Sequence, residues 1–212
     1  MGYGYYGWDQ KDVLAVTDEY EGIRTPKDLY DALFPIWCSY TCAPRLREQW
    51  SKENRTLGQC SITAFLAQDI FGGKVCGILR PGGNYHCYNV VGDCVFDLTS
   101  EQFGDEALDY ENNPEQFREV HFAKEEKRQR YEFLKEELER RFGRFQYRRA
   151  TIRDLDLVAE TRIEVLRAAN KLSDDTDMSE VKRQSCDYYE RALCDGTHIA
   201  YLVFDGNCVI GT

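Results

Sequence analysis

Cys60, His86 and Asp97 follow one another along the chain as a thiol, an imidazole and a carboxylate. Together such groups can attack a carbonyl. The imidazole takes the thiol's proton, the thiolate adds to an amide or thioester, and the carboxylate orients the imidazole. Cys60 lies in the run Gly58-Gln59-Cys60-Ser61-Ile62-Thr63-Ala64-Phe65. A free cysteine on its own is more often a small buried hydrophobe. The chemistry therefore depends on whether the surrounding elements bring the three side chains together.

After Cys60, apolar residues fall at Ile62, Phe65, Leu66 and Ile70, a helical spacing that buries one face, and Gly72-Gly73 closes the helix. Cys60 thus sits in or just before the first turn, where the positive end of the helix lowers a thiol's pKa. The N–H groups there are candidate oxyanion donors, with Gln59 and Asn54 as side-chain candidates. Upstream, Thr25-Pro26-Lys27-Asp28 reads as a helix start, with Leu29, Leu33 and Ile36 as its apolar stripe. Trp37 and Trp50 flank the approach to the cysteine helix, and Trp50 is a candidate wall of a substrate cleft.

Residues 74–79, 85–91 and 94–98 read as three strands, with Pro81-Gly82-Gly83-Asn84 turning between the first two. The pair Gly92-Asp93 suits a two-residue hairpin loop. Such a loop pairs Val91 with Cys94, Val90 with Val95, Tyr88 with Asp97 and His86 with Thr99. Asp97 is then the diagonal neighbour of His86, about 7–8 Å away between backbone positions and within side-chain reach. A loop with an odd number of residues would put Asp97 on the opposite face. Alternation also points Cys87 away from His86 and makes Asn89 a structural residue.

The stretch from Trp50 to Phe103 resembles the YunG-like proteins, small bacterial domains. The resemblance is carried by Gly58-Gln59-Cys60, Gln68-Asp69 with Gly72-Gly73, His86 with Asn89, and Asp97-Leu98-Thr99-Ser100-Glu101-Gln102-Phe103. It extends over about residues 25–145. That family looks like a compact member of the papain-like cysteine hydrolase and transglutaminase-like group. The resemblance implies Cys60 as nucleophile, His86 as base and Asp97 as orienting acid. Here Cys87-Tyr88 precedes Asn89, where the family tends to carry an aromatic pair.

The 212 residues carry a net charge of −10, which argues against nucleic acid or an anionic membrane as partner. No apolar run approaches a membrane span. The start, Met1-Gly2-Tyr3-Gly4-Tyr5-Tyr6-Gly7-Trp8, has no signal-peptide pattern and reads as a loose, sticky leader. Nine cysteines without a signal read as reduced cytoplasmic thiols. Cys38 and Cys42 are spaced for a metal, but no second pair follows, and His121 and His198 look isolated, so no metal is expected. Residues 123–145 read as one amphipathic helix on Tyr131, Leu134, Leu138 and Phe142.

The last third reads as a second module. A strand is expected over residues 149–153, a helix over 156–169, a helix from about Ser179 to Cys194 capped near Gly196, and strands at 198–204 and 208–210 joined by Asp205-Gly206. This order resembles the first half of a GNAT-type N-acetyltransferase. The glycine-rich turn that would grip acetyl-CoA does not occur before Gly211-Thr212, so acetyl-CoA is expected only of a longer parent protein. An unfinished sheet edge is a site for self-association.

The expected architecture is α+β: a papain-like domain over residues 1–146, then an incomplete GNAT-like α/β module over 147–212. The expected function is a cysteine-dependent hydrolase or acyltransferase acting on a small-molecule or peptide amide or thioester, without a cofactor in the first domain. The alternatives are an N-acetyltransferase with a regulatory first domain, and a papain-like fold kept as a binding module.

Overall fold

A computed structural model of the chain describes residues 3–9, 13–206 and 208–212. Thr25 opens the first helix, α1 (Pro26–Leu33), with a capping box in which Asp28 answers the Thr25 hydroxyl. Leu29 and Leu33 on α1, with Ile36 and Trp37 beyond it, are buried. They pack around the helix that carries Cys60, α2 (Cys60–Phe71).

The one-faced burial read from Ile62, Phe65, Leu66 and Ile70 is too narrow. Ser61, Thr63, Ala64 and Ala67 are buried as well, so α2 is enclosed on nearly every side. Small side chains allow this, because they let neighbouring elements approach the helix closely. Thr63 keeps its hydroxyl satisfied by accepting from Trp37 Nε1 at 3.1 Å.

Strands β1 (Lys74–Leu79), β2 (Tyr85–Val91) and β3 (Cys94–Phe96) form an antiparallel sheet in that order, with α2 packed on β2. The two-residue loop sets the expected register: Val91 faces Cys94, Val90 faces Val95 and Asn89 faces Phe96. The third strand stops two residues short of the expected Leu98. Asp97 leaves β2 there and bridges to Tyr6, its N–H donating to the Tyr6 carbonyl at 3.0 Å. Asn89 ties sheet to helix, donating from Nδ2 to the Ala64 carbonyl at 2.8 Å. Asn89→Ala should lower stability by about 1–3 kcal/mol, the cost of stranding a buried acceptor. An unchanged urea midpoint would mean that this bond carries no weight.

The N-terminal segment corrects the reading of a loose leader. Tyr5 is 1% exposed in the core, and Tyr3 and Trp8 pack against that core. Tyr3, Tyr5 and Tyr30 form an aromatic cluster with ring centroids 5.1–5.5 Å apart. Met1 and Gly2 lie outside the described residues.

The helix expected over 123–145 is α4 (Glu125–Phe142), with Tyr131, Leu134 and Leu138 buried as the periodicity requires, and a short helix not expected from the sequence, α3 (Arg118–Phe122), precedes it. The chain divides into two units, Met1–Gly143 and Arg144–Thr212. The second begins at Arg144 because β4 (Phe145–Arg149) pairs along its whole length with β5 (Tyr201–Asp205).

The strand of the second unit lies earlier than the 149–153 reading. Thr151 and Asp154 instead form a capping box that turns the chain into α5 (Leu155–Asn170). α6 (Ser179–Asp195) packs on α5 and ends at Gly196 in a left-handed conformation. β5 pairs in turn with β6 (Cys208–Gly211), giving a second three-stranded antiparallel sheet. Its core is small: Ala150, Val158, Ala159, Tyr189 and Leu202. Among the described residues no helix is long and apolar enough to cross a membrane, and no group of three or more metal-ligating side chains is gathered.

Candidate active site

Cys60 is the first residue of α2, and the helix has no side-chain cap. The first N–H groups of the helix are therefore unclaimed by any cap and end at the thiol. The approach is fixed by Gly58, whose φ of +69° is left-handed and where a Cβ would lie 2.8 Å from Cys42 Sγ and 2.9 Å from the Ala43 nitrogen. Its carbonyl accepts from Ala43 N–H at 3.0 Å, and its N–H donates to Gln102 Oε1 at 3.2 Å. Cys60 itself is half-buried.

His86 and Asp97 come together as the hairpin parity requires. His86 Nε2 lies 2.5 Å from Asp97 Oδ2, with the two side chains 2% and 1% exposed. The same carboxylate accepts from Tyr110 OH at 3.0 Å, from Thr99 N–H at 3.0 Å and from the Thr99 hydroxyl at 3.1 Å. Four donors leave it acceptor-saturated and fixed in place. Phe103 and the imidazole meet in a T-shaped pair at 4.7 Å, and the Arg80 guanidinium lies over the Phe103 ring at 4.6 Å.

Burial by itself would lower the His86 pKa. The Asp97 charge and hydrogen bond, with help from Cys60, outweigh it and raise His86 to about 10. Since Nε2 is taken by Asp97 and Nδ1 has no partner of regular hydrogen-bond geometry, Nδ1 is the nitrogen left for the sulfur.

Cys87 is buried, and its sulfur acts on Cys60. The Cys87 thiol is the largest influence holding the Cys60 thiol well below the ordinary range, and the Cys87 backbone N–H acts in the same direction. Burial opposes that shift, and His86 reinforces it by contact and charge. Cys87 is pushed the other way, well above its usual value, by its bond to Cys60 and by burial.

The sheet explains the placement. Gly77 N–H donates to the Pro114 carbonyl at 3.0 Å, and the Val75 carbonyl accepts from Gln116 N–H at 2.8 Å, so both residues turn their backbone groups away from β2. Their partners Cys87 and Asn89 must turn theirs away from β1, toward the side of β3. Asn89 meets β3 at Phe96, but β3 has left the sheet before it reaches Cys87. That leaves the Cys87 ladder position without a strand partner on this side, and its N–H acts on the Cys60 sulfur.

The remaining predicted residues are placed differently. Gln59 is fully buried and one proton of its Nε2 donates to the Cys38 carbonyl at 3.1 Å, which fixes the amide at the foot of the helix. Trp50 is half-buried and its indole N–H closes the 50–55 loop on the Arg55 carbonyl at 3.0 Å. Asn54 is half-buried in the same loop, its backbone bonded to Ser51 and Leu57.

His121 is not isolated. Its Nε2 is 3.0 Å from Gln116 Oε1, and its Nδ1 is 3.0 Å from Lys127 Nζ. His198 packs against Tyr188 and Tyr189 beside a cavity of about 420 Å³ in the second unit. Sequence reasoning missed Tyr110, Thr99, Cys87 and Lys127. Only Thr99 carried a signal, through its predicted pairing with His86.

The proton counts of the Cys60–His86 pair set a pH signature. Between the ordinary imidazole value of 6.5 and the ordinary thiol value of 9.0, the unfolded pair holds one proton, on Cys60. The folded pair also holds one, on His86. Equal counts make the pair's contribution to stability flat across that window. Below 6.5 the unfolded chain binds a second proton, and stability falls with falling pH. Above 9.0 it has lost both, and stability falls as pH rises toward about 10. Cys60→Ala should convert the plateau into a decline beginning at 6.5, since His86 alone then holds an extra proton when folded. Urea midpoints of the two proteins, subtracted at each pH, read the difference, and parallel curves would rule out the ion pair.

A family model described as YunG protein matches residues 25–143. A curated protein of Bacillus subtilis (strain 168), described as "Uncharacterized protein YunG", is 34% identical over 92 residues, which is 43% of this chain and 76% of that protein. No solved structure matches.

Proposed function

The chain belongs to the YunG protein family, and from that premise and the geometry at Cys60 we propose that its first unit is a cysteine-dependent hydrolase or acyltransferase of papain-like type. The observation that carries the reading is the 2.5 Å contact of His86 Nε2 with Asp97, which leaves Nδ1 of a proton-holding imidazole for a thiol depressed at an uncapped helix start.

In the proposed reaction the Cys60 thiolate adds to an amide or thioester carbonyl. The tetrahedral oxyanion draws on the first N–H groups of α2. Collapse breaks the C–N or C–S bond as His86 gives its proton to the leaving amine or thiol. Water or another nucleophile, deprotonated by His86, then releases the acyl group and restores the thiolate. These steps use side chains of residues 1–146 and no cofactor. Without substrate turnover, the same fold would serve as a binding module.

The test is the pH dependence of iodoacetamide alkylation, read cysteine by cysteine in the intact chain. Exposed Cys194 and Cys208 serve as internal references. Cys60 should label fast well below the free-thiol pKa of about 8.5. If it labels no faster than the two references at every pH, the nucleophile reading fails and the binding-module reading stands.

A second reading applies to the second unit. Its order β4-α5-α6-β5-β6, with β5 central in the sheet, favours kinship with the first half of a GNAT-type acetyltransferase. Residues 147–212 do not contain the glycine-rich turn at a helix start that acetyl-CoA would need. Self-association through β6, which pairs only with β5 among the described residues, belongs to the same reading. Sedimentation of the intact chain at increasing concentration tests it, and a monomer throughout would count against it.

A further inference from the structure

A second set of side chains borders the thiol, and the reaction above does not use it. His121, on α3, is 8% exposed and stands edge-on to Phe65 of α2 at 5.1 Å. Its Nε2 faces the Gln116 carbonyl oxygen and its Nδ1 faces an ammonium, so the proton must lie on Nε2. Burial and the neighbouring Lys127 charge lower its pKa to about 4, which keeps the ring neutral. Gln116 is held from behind by the bare backbone of Gly77, where a Cβ would lie 2.8–2.9 Å from its side chain. Gly77 in turn is the cross-strand partner of Cys87. The chain Gln116–His121–Lys127 thus fixes an ammonium by way of Phe65 on the cysteine helix and Gly77 across the strand from Cys87.

That ammonium is incompletely paired. Lys127 is half-buried, one of its three protons is used on His121, and no carboxylate forms an ion pair with it among the described residues. Burial disfavours its charge, and the groups that favour it are the Cys87 and Cys60 sulfurs. One turn further along α4, Arg130 is 2% exposed, with one bond to Glu126 at 3.0 Å and a buried Nε that has no partner. On a chain of net charge −10, one turn of α4 thus carries a half-buried ammonium and a buried guanidinium. A desolvated cation with donors to spare is an arrangement that an anionic ligand completes.

We propose that Lys127, positioned by His121 and Gln116, binds a carboxylate carried by the acyl donor close to its scissile carbonyl. This rests on the reading of Cys60 as nucleophile and narrows its substrate class to acidic amides or thioesters.

Two alkylating reagents of nearly equal shape test this without a known substrate. Each forms a bond from the Cys60 sulfur to a methylene carbon and expels iodide; iodoacetate carries a carboxylate on that carbon, and iodoacetamide a neutral amide. In the intact chain at low salt, the ratio of the two rates at Cys60 should exceed the ratio at Cys194 and Cys208 by about tenfold, and fall as salt is added. Lys127→Gln, which keeps a donor for His121, should remove most of that preference. Lys127→Arg should retain it, and Lys124→Met, an exposed neighbour, should leave it in place. Should Lys127→Gln prove unfolded by its urea transition, Lys127→Met takes its place.

Rapid iodoacetamide labelling with a ratio that ignores Lys127 overturns the subsite and spares the nucleophile. A ratio lost equally in Lys124→Met reduces it to a diffuse surface field and overturns it too. Slow labelling of wild type by both reagents removes the nucleophile and the subsite together.

Discussion

Replacing His86 by alanine slows alkylation of Cys60 at pH 6 by about 10- to 100-fold. At that pH a free thiol of pKa about 8.5 is only about 0.3% thiolate, so full ionisation is worth a few hundredfold in concentration of the reactive form. Part of this is returned because a thiolate of lower pKa is intrinsically less nucleophilic. His86 is also not the sole influence: the Cys87 thiol and N–H and the start of α2 act on the same sulfur. They remain in the variant, which sets the lower end of the range. The rate is read by peptide mass spectrometry against Cys194 and Cys208, with the fold checked by circular dichroism. An unchanged rate would make His86 a buried strand residue and leave Cys87 as the activator of the thiol.

Asp97→Ala is expected to cost about 3–5 kcal/mol, since it removes the paired carboxylate from a buried imidazole that it holds in the protonated form. It also strands the Tyr110 hydroxyl and both Thr99 donors. For a unit of this size the melting temperature should drop by about 10 °C. Asp97→Asn separates structure from activation. The amide refills the space and keeps one acceptor oxygen, so most of the stability should return. The negative charge that keeps a proton on His86 does not return, and Cys60 should still label slowly at pH 6. An Asp97→Asn protein that labels as fast as wild type would show that orientation of the ring matters and the charge does not.

How far the site was legible depended on the range over which each residue is specified. The His86–Asp97 contact follows from local parity, because a two-residue loop at Gly92-Asp93 fixes which side chains share a face. The helix start at Cys60 follows equally locally from the glycines around it. The influence of Cys87 on Cys60 was not legible, because the ladder ends beside Cys87 when Asp97 turns to Tyr6. That turn depends on an N-terminal segment whose glycines and tyrosines carry no period. Tyr110 reaches Asp97 from an irregular stretch, and Lys127 meets His121 from α4 across the break to a short helix that was not expected. Nothing in residue type or spacing marks contacts of that kind.

The strand of the second unit was misplaced for a different reason. Alternating polar and apolar residues from Phe145 to Arg153 fit a strand at either end, and only the reciprocal bonding of Thr151 with Asp154 shows where it stops.

The charges gathered at the proposed site sum to zero: thiolate Cys60 and carboxylate Asp97 against imidazolium His86 and ammonium Lys127. Acylation upsets that balance, because a thioester sulfur carries no charge. Part of what holds the proton on His86 is Cys60 itself, so the ring's grip on its proton weakens at the moment the acyl bond is made. The imidazole is thereby turned from a stored acid into a free base just when a water needs deprotonating. Timing of this kind requires no moving part: the covalent state of one sulfur sets the protonation state of its neighbour, and release of the product sets it back.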